Sequence, residues 1–118
     1  MRNLALFPLV GALAFCGPGA FAHALLESAS PPVGGTVSAP TEIAIHFSEG
    51  IEPKFSGLAL SGPQGAVPVG KAALAPGDDK AMVVKIGRKL AAGQYTVKWR
   101  AVSVDTHRTQ GHFEFTVK

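Results

Sequence analysis

The chain has 118 residues, with eleven Lys and Arg against eight Asp and Glu and a formal net charge of +3. That length leaves room for a single folded domain. The basic residues are scattered along the chain and form no cluster, so the sequence does not indicate a nucleic-acid-binding protein.

Residues 1–22 have the pattern of a cleavable secretory signal. Arg2 supplies the positive end, and the apolar run from Leu4 to Phe15 is too short to span a bilayer. The small residues of Ala20-Phe21-Ala22 favour cleavage after Ala22. We therefore predict a mature domain of residues 23–118 that is exported to the periplasm and has no membrane span.

The single cysteine, Cys16, lies within this predicted signal. Lipid attachment to Cys16 is the alternative, and it would tether the protein and leave His23 as an internal residue. The bulky Phe15 stands where a lipoprotein signal needs a small residue. Once the signal is removed, the domain has neither a disulfide nor a thiolate ligand, and folding rests on burial of the core.

Apolar residues alternate along five segments that are separated by Gly- and Pro-rich turns, which predicts an all-β domain. Strands joined by such short turns are expected to be antiparallel. We predict a small antiparallel β-sandwich with Greek-key connections, of the immunoglobulin-like or cupredoxin-like type. In chain order, the predicted inward residues are Ile43, Ile45, Phe47; Leu58, Leu60; Met82, Val84, Ile86; Tyr95, Val97, Trp99, Ala101; and Phe113, Phe115, Val117.

Two places along the chain offer metal ligands. Cleavage after Ala22 would make His23 the N-terminal residue, whose α-amine and imidazole could bind one ion together. Asp105 and His107 follow the strand of Trp99, and residues i and i+2 of an extended backbone point to the same side. The simpler alternatives are a frayed terminus and a turn in which Asp105 bonds to its own backbone.

Together these residues would provide three nitrogens and one oxygen, a set that suits tetragonal Cu(II). Zinc could use the same atoms in tetrahedral geometry, although copper stands above zinc in the affinity order. Composition alone does not show that the two ends of the chain meet.

Three stretches resemble the CopC family of periplasmic copper-resistance proteins: His23-Ala24, residues 45–49 and residues 95–107. The resemblance covers nearly the whole mature chain and is most specific from Trp99 to Gly111. It implies that His23, Asp105 and His107 bind Cu(II). It also implies a role beside the metal for Glu49, for which a solvated residue at a strand end is the alternative.

Better-known members of this family carry a methionine-rich loop that binds Cu(I). The corresponding stretch here, Leu58 to Gly70, contains no methionine, and Met82 belongs to an inward apolar set. Because thioether ligands favour Cu(I), we expect a Cu(II) site only. His46 and His112 lie on the outward faces of their strands, where we expect structural or solvated roles.

These observations predict a monomeric, non-catalytic periplasmic protein that buffers or delivers Cu(II) in copper homeostasis and resistance. The resemblance implies an inner-membrane copper transporter of the CopD type as its partner. An immunoglobulin-like interaction module without metal is one alternative. A copper monooxygenase is another, but the chain is short, and the Asp105 oxygen would fill a position that oxygen chemistry needs open.

Overall fold

The computed structural model describes residues 25–118, which form two β-sheets packed face to face. The predicted signal peptide, its cleavage site and His23 lie outside these residues. A 3-10 turn spans Pro53–Phe55. The strands are β1 (Leu26–Ser30), β2 (Thr36–Val37), β3 (Glu42–Phe47), β4 (Gly57–Gly62), β5 (Gly65–Val67), β6 (Ala73–Ala75), β7 (Asp78–Lys85), β8 (Gly93–Val102) and β9 (Arg108–Val117).

The first sheet has the strand order β1-β3-β7-β6, and the second has the order β2-β9-β8-β4-β5. The chain changes sheet at every step from β1 to β4, and again between β5 and β6 and between β7 and β8. This arrangement confirms the predicted β-sandwich. One pairing differs from the prediction, because β2 runs parallel to β9. These two strands are far apart in sequence, so the short-turn argument for antiparallel neighbours does not apply to them.

The core lies between the two sheets and is built from the alternating residues of the long strands. All the residues predicted to face inward are buried except Ile86, which is half-buried and packs against the core. Each large apolar side chain that is fully buried contributes about 1.5–3 kcal/mol. This core explains how the domain folds without a disulfide.

The indole of Trp99 packs across β9 at Gly111, its partner in the β8–β9 register. A Cβ atom on Gly111 would lie 2.6 Å from Cζ2 of the indole. The indole also meets Phe47 edge-on, with ring centroids 5.3 Å apart. The glycine in the most specific segment of the sequence is therefore needed for close packing of the tryptophan.

The connection from β3 to β4 ties the ends of both sheets together. The N–H of Ile51 donates to the carbonyl of Asp79 at 2.9 Å, in β7 of the first sheet. Ile51 also forms an isolated bridge with Ser103, just after β8 of the second sheet. The carbonyl of Gly50 accepts from the N–H of Val104 at 3.0 Å. These bonds hold the β8–β9 loop, residues 103–107, against the end of β3.

Candidate metal centre

The β8–β9 loop carries both of the predicted ligands that fall within residues 25–118. The N–H of Ser103 donates to the carbonyl of His107 at 2.9 Å, and the N–H of Thr106 donates to the carbonyl of Ser103 at 2.8 Å. Thr106 has a φ of 73°, in the left-handed region. Asp105 and His107 therefore lie on a tight turn. The prediction of an extended backbone here is wrong. The tight turn, and not strand alternation, directs the two side chains toward each other.

The two side chains do meet. Nδ1 of His107 lies 3.2 Å from Oδ2 of Asp105, and both side chains are about half exposed, at 50% and 46%. The other carboxylate oxygen, Oδ1, accepts a hydrogen bond from the hydroxyl of Ser103. The pair thus offers one nitrogen and one oxygen on the solvent-accessible side of the loop.

Ser103 was not singled out in the sequence, although it is the residue that joins this loop together. Its side chain is completely buried, and its Oγ also accepts from the N–H of His107 at 3.2 Å. A signal for it was present, because Ser103 takes the next inward position after Tyr95, Val97, Trp99 and Ala101. A polar residue at the end of an otherwise apolar inward series needs a buried partner.

The contacts of Asp105 favour its charged form. The hydrogen bond from Ser103 lowers the pKa of this carboxyl below its ordinary value, desolvation opposes that shift, and the hydrogen bond and charge of His107 lower it further. A hydrogen bond stabilises a carboxylate more strongly than a neutral acid. Asp105 is therefore an anionic acceptor at neutral pH, the form in which it can bind a cation.

The start of the described chain is fixed at the same end of the sandwich. The N–H of Leu25 donates to Oγ of Ser48 at 2.9 Å, and the N–H of Ser48 donates to the carbonyl of Leu25 at 2.8 Å. Ser48 is two residues before Gly50, whose carbonyl is bonded to Val104 of the β8–β9 loop. Residues 48–50 therefore connect Leu25 with the loop that carries Asp105 and His107.

The other candidate residues lie in different surroundings. Glu49 is half-buried and stands between Ser48 and Gly50, at the end of β3 next to the loop. His46 is exposed on the first sheet, with Nε2 3.4 Å from Oδ2 of Asp78. His112 is exposed on β9, opposite Lys98 in the register. Within residues 25–118, no three His, Cys, Asp or Glu side chains form a cluster that could hold a metal by themselves.

The fold and this site define a small β-sandwich with a carboxylate–imidazole pair on the loop between its two ten-residue strands. The family model of the CopC domain matches residues 26–118. The chain belongs to the CopC family, which confirms the resemblance seen in its sequence.

Individual relatives agree with this assignment. The chain is 45% identical over 107 residues to copper resistance protein C of Escherichia coli, an alignment that covers 84% of each protein. Its structure is similar to the crystal structure of PcoC, a methionine-rich copper resistance protein from Escherichia coli. That similarity has a TM-score of 0.74 and 41% sequence identity, and it covers 81% of this chain and 99% of PcoC.

A longer relative contains a similar domain. The chain is 30% identical over 107 residues to copper transport protein CutJ of Bacillus subtilis strain 168, which covers 89% of this chain but 20% of that protein. In residues 25–118 there is no helix of the length and apolar character needed to cross a bilayer.

Proposed function

We propose that this chain is a periplasmic protein that binds one Cu(II) ion in copper homeostasis and resistance, without catalytic turnover. Membership of the CopC family and the similarity to copper resistance protein C support a copper-binding role in resistance. The observation that carries the proposal is the 3.2 Å approach of Asp105 Oδ2 and His107 Nδ1 on a loop fixed by hydrogen bonds.

The remaining ligands in this proposal are the α-amine and the imidazole of His23. Leu25, two residues further on, is bonded to Ser48 at the end of β3. Two residues of extended chain span at most about 7 Å, and a histidine side chain adds further reach. Residues 48–50 contact both Leu25 and the β8–β9 loop, which supports the proposal that His23 joins Asp105 and His107.

The donor atoms favour Cu(II) over Cu(I). Two neighbouring ligands in a tetragonal site, each about 2.0 Å from the metal, are about 2.8 Å apart, which is close to the separation of Asp105 Oδ2 and His107 Nδ1. The soft thioether ligands that stabilise Cu(I) are scarce, since the chain has two methionines, Met1 and Met82. Met82 is fully buried in the core. We therefore propose that a Cu(I) site like that expected of a methionine-rich relative is missing from this protein.

Glu49 has a supporting role in the proposal. It is half-buried at the end of β3 beside the segment that holds Leu25. A carboxylate there can accept a hydrogen bond from a ligand N–H and so orient it, as partners of metal ligands commonly do. We assign Glu49 to this role beside the copper ligands.

In this proposal the protein is a monomeric copper carrier or buffer, and its secretory signal directs it to the periplasm. Its domain resembles part of CutJ, a longer protein that is named for copper transport. This similarity supports an inner-membrane copper transporter as the partner with which our protein exchanges its ion.

The test begins with the intact mass of protein purified from the periplasm, which locates the mature N-terminus. Cu(II) titration, followed by fluorescence of the single tryptophan Trp99 and by EPR, should then give one equivalent in a nitrogen-rich tetragonal site. Binding should be lost in His107→Ala and in a protein with one extra residue before His23. It should be retained in His112→Ala, which removes an exposed histidine elsewhere.

Two outcomes would contradict the proposal. A correctly processed protein that does not bind copper would favour the metal-free interaction module. Oxygen uptake by the copper protein in the presence of a reductant, lost in His107→Ala, would favour a monooxygenase.

A further inference from the structure

Two serines are the buried polar residues among residues 25–118: Ser103, with no exposed surface, and Ser56, with 6% exposed. A buried hydroxyl is stabilising only when it is hydrogen-bonded. Both serines satisfy this condition, but their partners differ. Ser103 bonds to residues of the candidate metal centre, whereas Ser56 bonds to backbone groups alone.

The hydroxyl of Ser103 contacts both Asp105 and His107. It donates to Oδ1 of Asp105 and accepts from the N–H of His107 at 3.2 Å. A serine hydroxyl has one hydrogen and two lone pairs, so it can donate to the carboxylate and accept from the amide at the same time. Its own N–H donates to the carbonyl of His107 at 2.9 Å, which fixes the same residue a second time.

These bonds determine which atoms face a bound ion. Because Oδ1 of Asp105 is held by Ser103, the carboxylate cannot rotate freely, and Oδ2 is directed toward Nδ1 of His107. The hydrogen bond from the His107 N–H to the same hydroxyl fixes the backbone of His107 next to Asp105. The loop between them includes Thr106 in the left-handed region, a conformation that needs support from its surroundings.

We infer that Ser103 is a positioning residue for copper, which holds Asp105 as a ligand through one oxygen and fixes His107 beside it. This inference rests on the proposed function, in that the ion held by the pair is the Cu(II) proposed above. In this inference Ser103 does not contact the ion itself but acts through Asp105 and His107, the two proposed ligands.

Ser56 provides a matched control at the same end of the sandwich. Its Oγ donates to the carbonyl of Glu52 at 2.8 Å and accepts from the N–H of Val102 at 3.0 Å. Ser56→Ala therefore removes the same kind of buried hydroxyl, which donates one hydrogen bond and accepts another, but neither bond involves Asp105 or His107. A purely structural role for Ser103 predicts the same behaviour from both alanine variants.

The first experiment compares Cu(II) affinity and EPR spectra for wild type, Ser103→Ala, Ser56→Ala and Ser103→Thr. Loss of a group that orients a metal ligand typically weakens binding by about 10- to 100-fold. We expect that loss and altered copper hyperfine values in Ser103→Ala alone. Ser56→Ala should keep wild-type spectra, and Ser103→Thr, which retains the hydroxyl, should recover them.

The second experiment needs no copper. Hydrogen exchange of the His107 amide should become at least tenfold faster in Ser103→Ala, because its acceptor is lost, and should stay unchanged in Ser56→Ala. Wild-type copper affinity, EPR spectra and His107 exchange in Ser103→Ala would overturn the inference. If wild type itself fails to bind Cu(II), the proposed function is wrong, and the exchange result alone decides whether Ser103 positions the loop.

Discussion

Replacing Gly111 with alanine should destabilise the domain through a single contact with Trp99. The added Cβ would lie 2.6 Å from Cζ2 and 2.9 Å from Cε2 of the indole. Unstrained carbon atoms are about 3.5–4.0 Å apart, so the ring or strand β9 must move by about 1 Å. The indole also contacts Phe47 edge-on, with a centroid distance of 5.3 Å, and its burial in the core limits its movement.

Overpacking of this size typically costs about 1–3 kcal/mol. For a domain of this length, each kcal/mol lowers the melting temperature by about 4–8 °C, so Gly111→Ala should melt at least about 4 °C below wild type. Urea denaturation of the copper-free protein, followed by far-UV circular dichroism, measures the free energy of unfolding. Gly70→Ala is the control, because a Cβ there comes no closer than 3.7 Å to another atom.

The double variant Trp99→Phe/Gly111→Ala tests whether the indole is the cause. A smaller ring should relieve the overlap, so the two changes together should cost less than the sum of the single changes. Additive effects, or a loss below about 0.5 kcal/mol in Gly111→Ala, would refute the packing argument.

Three further predictions concern the metal centre. Thr106→Gly should stabilise the copper-free protein by about 0.5–2 kcal/mol in urea denaturation, because glycine adopts a φ of 73° without strain but loses more entropy on folding; a loss of stability would contradict this. Ser48→Ala removes the acceptor for the N–H of Leu25. If this bond contributes about 0.5–1.5 kcal/mol, Cu(II) titration should show about 2- to 13-fold weaker binding. An unchanged affinity would show that the bond does not help to place His23. Because the pKa of Asp105 is lowered in the folded state, its carboxylate stabilises the copper-free fold at a pH above its unfolded-state pKa of about 3.9, and this effect is lost as the pH falls through the folded-state pKa. The stabilities of wild type and Asp105→Asn in denaturation curves should therefore differ at pH 7 and converge in strong acid. A difference that stays constant with pH would refute the assignment.

The long strands could be predicted because their side chains alternate between core and solvent. The predicted inward residues Ile43, Ile45 and Phe47 all lie on β3 and are fully or almost fully buried. Four strands were not predicted: β1, β2, β5 and β6, which have five residues or fewer. Such short segments have too few residues to show a period, and they adopt strand structure because a longer neighbour pairs with them.

The site was predicted in part, for a related reason. Residue type predicted Asp105 and His107 as a pair of metal ligands, and the structure brings their side chains together. Nothing in the sequence indicates that Thr106 adopts the left-handed conformation on which their approach depends. Ser103 was missed because its importance arises from burial and hydrogen bonding, which depend on the folded loop. The participation of His23 stays a prediction, as it lies outside residues 25–118.

The proposed metal centre lies on a loop that is held by hydrogen bonds, and its two side chains are accessible to solvent. The β8–β9 loop is bonded to Gly50 and Ser103 is bridged to Ile51, so the loop is supported by the connection that also meets the first sheet at Asp79. Rigid nitrogen and oxygen ligands favour one oxidation state, which suits storage or transfer of Cu(II) more than redox cycling. Because the Asp105 and His107 side chains are half exposed, ligands of a partner protein can approach the ion directly. If the proposed site holds copper, the ion can leave by stepwise ligand exchange, without opening of the sandwich.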